Sequence, residues 1–182
     1  MATTSTTTST TDSTGESATD ADPTMDAIVS AVTAGRDGDV DTARRELLRI
    51  WARVGAAGDP FHRCTLAHYL ADLYDDPAES LMWDVRALDA ADALTDQRAR
   101  QHDASLHVAG FYPSLHLNLA DNFRRLGAFR AAAEHIEEAE RHTSSLPDGA
   151  YGDTIRAAVR DVGRAVAQPD TARRASSPGP AR

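Results

Sequence analysis

From residue 24 to about residue 167, apolar side chains recur every three or four positions, and polar and charged residues fill the places between them. That period predicts amphipathic helices, and no stretch alternates at the two-residue period of a strand. The first helix spans roughly 24 to 35, with Thr24 as N-cap, Gly35 as stop, and Met25, Ile28 and Val32 on one face. The second spans roughly 39 to 54, where Val40, Ala43, Leu47, Ile50, Trp51 and Val54 face inward. The third spans roughly 60 to 75, opened by Pro60, with Phe61, Leu66, Tyr69, Leu70, Leu73 and Tyr74 as a wide apolar stripe. Asp76 and Pro77 open a fourth, which continues through Leu81, Met82, Val85, Leu88 and Ala91 to about Leu94.

Residues 95 to 110 read as one helix ending at Gly110 or as an ordered loop. Further helices are expected at roughly 113 to 126, 128 to 143 and 150 to 167, the last with Tyr151, Ile155, Val159, Val162 and Val166 in line. Only a few residues separate most neighbours, so the expected fold is all-α, built of short antiparallel helix pairs with a lone terminal helix.

Composition bounds this domain. Residues 1–23 hold no large apolar side chain except Met1, and residues 168–182 read the same way. Such segments bury too little to offset their chain entropy, so two disordered tails are expected around a folded 24–167. The net charge is −9, and the 19 basic residues are all arginine. An acidic domain argues against general nucleic-acid binding, which needs cations to replace phosphate counterions. The lack of lysine, beside abundant Ala, Asp and Gly, points to the codon bias of a high-GC bacterial genome. Cys64 is the single cysteine, so no internal disulfide is possible. The start "MATTSTTTST" lacks a basic region followed by an apolar run, and no window approaches the ~20 apolar residues of a membrane span. No secretory signal and no membrane association are expected, and the cytoplasm is the default.

Two internal matches suggest repetition. "LADLY" (70–74) pairs with "LADNF" (119–123), and "GDVDTA" (38–43) pairs with "GAFRAA" (127–132). On these residues the chain resembles the tetratricopeptide repeat family. The best unit is about 113 to 146. There Leu119 and Ala120 match the Leu-small pair of the family's first helix, Phe123 its aromatic, and Gly127 its turn glycine. Phe129 matches the following aromatic, and Ala132 and Ala139 match the small residues of the second helix. The units at 24–56 and 60–94 are degenerate, and the latter uses "DDP" where the turn glycine belongs.

The resemblance implies a TPR-like αα-hairpin solenoid of about three degenerate repeats, capped by the 150–167 helix. It also implies a concave groove that takes an extended or helical segment of a partner protein. Projected onto this chain, the groove carries Thr65, His68, Tyr69 and Asp72 from one unit and Leu117, Asn118, Asp121, Arg124 and Arg125 from the next. Asn118 matches an asparagine that pairs with ligand backbone in many such units, and an amide suits that role because it both donates and accepts. Arg124 and Arg125 can bind a carboxylate. The family's clamp lysines for carboxyl-terminal peptides have no counterpart here.

No GxSxG, P-loop or GxGxxG motif appears, and no paired carboxylates stand out in a plausible cleft, so no enzyme and no cofactor are expected. Seven histidines invite a metal reading. Cys64 and His68 lie at i, i+4 and, with His102 or His107, could supply zinc ligands. The pattern lacks CxxC and HExxH, so no metal is expected. A small metal- or ligand-binding helical protein using Cys64 and neighbouring histidines is the alternative to a non-catalytic adaptor or scaffold. Self-association is a third possibility.

Overall fold

The computed structural model describes residues 22–103 and 105–174. Most of both expected tails lies outside these. Among the described residues there are eight α-helices: α1 (Pro23–Arg36), α2 (Val40–Val54), α3 (Pro60–Ala71), α4 (Pro77–Asp92), α5 (Asp96–His102), α6 (Tyr112–Arg125), α7 (Phe129–His142) and α8 (Ala150–Ala167). Short 3-10 turns occupy Val108–Gly110 and Thr143–Ser145. Among the described residues there is no strand, and no helix is long and apolar enough to cross a membrane.

The helix starts are written in the sequence. Asp22, Asp39, Asp59 and Asp76 each accept a backbone N–H two or three residues ahead, from Met25, Thr42, His62 and Ala78. That satisfies a donor the helix leaves orphaned. In three of the four, proline follows and supplies a preset φ. The α1 cap is therefore Asp22 and not Thr24, two residues earlier than expected.

Gly35 does not stop α1, which runs on to Arg36. A Cβ on Gly35 would lie 2.9 Å from the Cβ of Ala43, so the glycine serves the close approach of α1 to α2. The third helix ends at Ala71, not near 75, and Asp72 is its C-cap. Pro77 disfavours a helical Asp76, which stands extended at φ −71°, ψ 120°. The chain leaves α3 early enough to reach that conformation.

Consecutive helices pack as pairs: α1 with α2, α3 with α4, and α6 with α7. Two of the turns are equivalent in detail. Gly38 and Gly127 both have positive φ, +106° and +77°, a conformation that glycine adopts without penalty. The next residue in each turn bonds back to the carbonyl five before it, Asp39 to Ala34 at 3.1 Å and Ala128 to Phe123 at 2.9 Å. In each, the alanine five residues after the glycine, Ala43 or Ala132, is fully buried at the helix crossing.

The inward face of α4 differs from the expected one. Met82 and Val85 are 44% and 51% exposed, while Ser80, Trp83, Asp84, Ala87, Ala90 and Ala91 are buried. The helix lies between α3 and α6, and small side chains let it approach both. Its large aliphatics are left outside, and the buried Trp83 meets Trp51 edge-on at 5.2 Å.

The core has two parts. The larger joins α1–α4 to Ala99, Val108 and Leu115, and the smaller joins Leu117 and Ala120 of α6 to α7 and α8. The 95–112 segment, left open by the sequence, clamps the starts of α1 and α3. Arg98 bonds Asp59 at 2.6 Å and Asp22 at 3.3 Å, and His62 bonds Asp22 at 2.8 Å. Asp22, assigned to a tail by composition, is thus part of the folded unit. So are residues 168–174, which run back from α8 across the end of α6 and bond Arg124, Asp75 and Asp121.

Candidate functional site

Two adjoining cavities form a groove along one side of the helix stack. One, of about 180 Å³, lies between the end of α3 and α6, with Ser80 and Asp84 of α4 in its wall and Tyr151, Thr154 and Ile155 of α8 along its edge. The other, of about 440 Å³, lies between α1, α3 and the 102–115 segment, lined by Met25, Val29, Phe61, Thr65, Tyr69, His102 and Phe111 among others. His68, Asp72, Ser114 and Tyr151 border both.

The residues expected in the groove divide accordingly. His68, Asp72, Leu117, Asn118, Asp121 and Arg125 line the smaller cavity. Thr65 and Tyr69 line only the larger one. Arg124 lines neither. It is 0% exposed, and its guanidinium bonds Asp121 and the carbonyls of Asp170 and Ala172. Arg124 cannot receive a ligand carboxylate, because it is fully enclosed and four of its N–H donors are engaged inside the fold. Arg125 reaches the groove but donates to the Asp75 carbonyl at 2.5 Å.

The carboxylates of the smaller cavity are unlike one another. Asp121 is paired with Arg124 at 2.8 Å and with Arg174 at 3.2 Å. Asp84 is 1% exposed and accepts from the amides of Asn122 at 2.8 Å and Asn118 at 3.5 Å. The Asn122 amide also reaches Ser80 at 2.9 Å. Burial, then the charge of Asp72, pushes the Asp84 carboxyl well above the ordinary carboxylate range, against the two amides.

The Asp72 carboxylate has no hydrogen bond or ion pair among the described residues. Burial raises it too, partly offset by the charges of His68 and Arg36. His68 Nδ1 is buried beside it without a hydrogen-bond partner. The backbone conformation at the end of α3 places Asp72 where the two cavities meet. A cleft with two raised carboxyls was not foreseen from the sequence. Asp84 is a poor proton donor to any ligand, since amides occupy both its oxygens and it is closed to solvent.

Sequence reasoning missed Asp84, Asn122 and Ser80. A signal was present: Ser80, Asp84, Ala87 and Ala91 recur at helical spacing, so one acid lies in phase with a stripe of small residues.

The histidines do not converge on Cys64. Among the described residues no three of His, Cys, Asp and Glu are placed to hold a metal ion. Cys64 is buried, which pushes its thiol up to about 12, away from the thiolate a metal needs. His102 stacks on Phe61, and His107 sits near Asp96 at the surface.

A different cluster forms between α6 and α7. His116 Nδ1 lies 2.9 Å from His135 Nδ1, Tyr112 stacks on His116 and His142, and Phe123 stacks on His135. One ring must donate and the other accept, so at least one of the facing nitrogens is unprotonated. Burial lowers the pKa of both. The charges of His135 and His142 lower His116 further, with Glu138 and Asp92 opposing, while Glu134 and Glu138 oppose the shift of His135.

A histidine whose folded pKa is depressed gives full stability above its unfolded value, near 6.5. It loses that stability as pH falls through the folded value. Asp72 and Asp84, raised in the fold, act in the opposite direction. The histidine effect is therefore read as a difference between proteins. From pH 7.5 to 5.5, urea unfolding should show wild type losing stability relative to His135→Gln. A flat difference would refute the assignment.

No family model, curated protein or solved structure matches the chain.

Proposed function

We propose that this protein is a non-catalytic adaptor that binds a segment of a partner protein in the α1–α3–α6–α8 groove, with a cationic side chain of the partner seated against Asp72. The observation that carries the reading is Asp72 itself: a half-buried carboxylate with no ion pair among the described residues, where two cavities meet. Removing a charge from water without a partner costs the fold free energy, and a ligand cation offsets that cost. Asn118, on the cavity wall, is free on one side to read a peptide group. The smaller cavity lies below the ~300–1,000 Å³ of sites for drug-sized molecules, which suits one side chain of a longer ligand. The resemblance to tetratricopeptide arrays supports the same reading, as do the equivalent turns at Gly38 and Gly127.

Fluorescence anisotropy with decapeptide mixtures tests it. A mixture with one fixed arginine should bind, and the same mixture with glutamate at that position should not. Asp72→Asn should weaken binding by about 30-fold or more, as expected when one partner of a desolvated charge pair is removed. Its thermal stability at pH 7.5 should match or exceed wild type, because the substitution removes a charge that burial disfavours. Equal binding of the arginine and glutamate mixtures, or full affinity in Asp72→Asn, would overturn the proposal.

A further inference from the structure

Residues 168–174 contain no large apolar side chain, yet they are held against the groove. The chain turns out of α8 through hydrogen bonds from Gln168 N–H to Arg164 and from Asp170 N–H to Ala165, both 3.1 Å. Asp170 then accepts from Ala172 N–H at 2.8 Å. The buried Arg124 donates to the carbonyls of Asp170 and Ala172. Arg173 pairs with Asp75 in the α3–α4 turn, and Arg174 enters the wall of the smaller cavity and pairs with Asp121. The Arg174 side chain is 14% exposed. An arginine of this chain thus already lies on an acid of the cavity proposed to take a partner's cation.

We propose that residues 168–174 are an internal occupant of the groove's rim, a strap that an arginine-bearing segment of the partner displaces. The inference rests on the groove reading and deepens it, because it assigns the ligand's chemistry. The partner offers arginine in an extended segment, and the strap's Arg174 holds Asp121, which lines the same cavity as Asp72. The attachment suits exchange. Its outer ion pair, Arg173 with Asp75, is 23% and 46% exposed, where such pairs hold weakly, and the segment buries almost no apolar surface. Segments of that kind open locally without global unfolding. Arg124 is the fixed part of the latch, and Arg173 and Arg174 are the exchangeable part.

The test uses the full chain and the probe acetyl-Thr-Ala-Arg-Arg-Ala-amide, the sequence of residues 171–175. Arg173→Ala/Arg174→Ala should bind the probe about fivefold tighter than wild type, the scale of losing two partly exposed ion pairs. A second readout needs no variant. In wild type, the heteronuclear NOE of the Arg173 and Arg174 amides should fall as the probe saturates. Tighter binding with a falling NOE supports the strap. Equal affinities, or an unchanged NOE with the probe bound, overturn the strap and leave the groove reading standing. Probe binding by neither protein overturns both.

Discussion

Arg124→Ala is expected to destabilise the protein by about 3–5 kcal/mol, the scale of removing one partner from a buried ion pair. The guanidinium is fully enclosed, and it meets Asp121 and two carbonyls of the 168–174 segment. Truncation leaves Asp121 with Arg174 and strands both carbonyls. Urea unfolding at pH 7.5 measures the loss. A double variant, Arg124→Met/Asp121→Leu, should recover only part of it, because an apolar pair removes the buried charges but leaves both carbonyls without the Arg124 donors. A loss below about 1 kcal/mol for the single variant would show that the pair is not structural. The same result makes Arg124→Ala unsuitable as a probe of binding, whereas Asp72, whose carboxylate has no bond to lose among the described residues, is suitable.

Leu70→Ala should cost about 2–5 kcal/mol, the transfer free energy plus the cavity it leaves. Leu70 is fully buried in the larger core, which α1, α2, α3 and α4 share, so no single neighbour can relax to fill the space. Thermal unfolding followed by circular dichroism should show one transition shifted down. Retention of the wild-type midpoint would contradict the assigned core.

Most of the fold was legible because its signals are local. Apolar period and Asp-Pro starts place α2, α4, α6, α7 and α8 within a few residues of their observed limits. The errors came where a local cue had a stronger rival. Thr24 is a fair cap, but Asp22 followed by Pro23 is a better one. Gly35 reads as a stop, yet it sits where two helices need a missing side chain. Met82 and Val85 read as core because they are large, but α4 is squeezed between two helices and buries its small face.

The site was half legible. Asp72, Asn118 and Asp121 follow from repeat position, and all three line one cavity. Arg124 and Arg125 are identical as letters. What separates them is a segment 46–48 residues further along the chain, which covers Arg124 and leaves Arg125 at the groove. No periodicity carries that information. Asp84 was not singled out in the sequence, and only packing shows it enclosed.

The central claim is that the groove recognises a cation at Asp72. Amide chemical-shift mapping of the ¹⁵N-labelled protein, titrated to about 1 mM with acetyl-Thr-Ala-Arg-Arg-Ala-amide, tests it most directly. Saturable shifts are expected at Asp72, Asn118, Asp121 and Tyr151, lost in Asp72→Asn. Shifts confined to the outer face of α4 around Met82 and Val85, or none at any position, would contradict it.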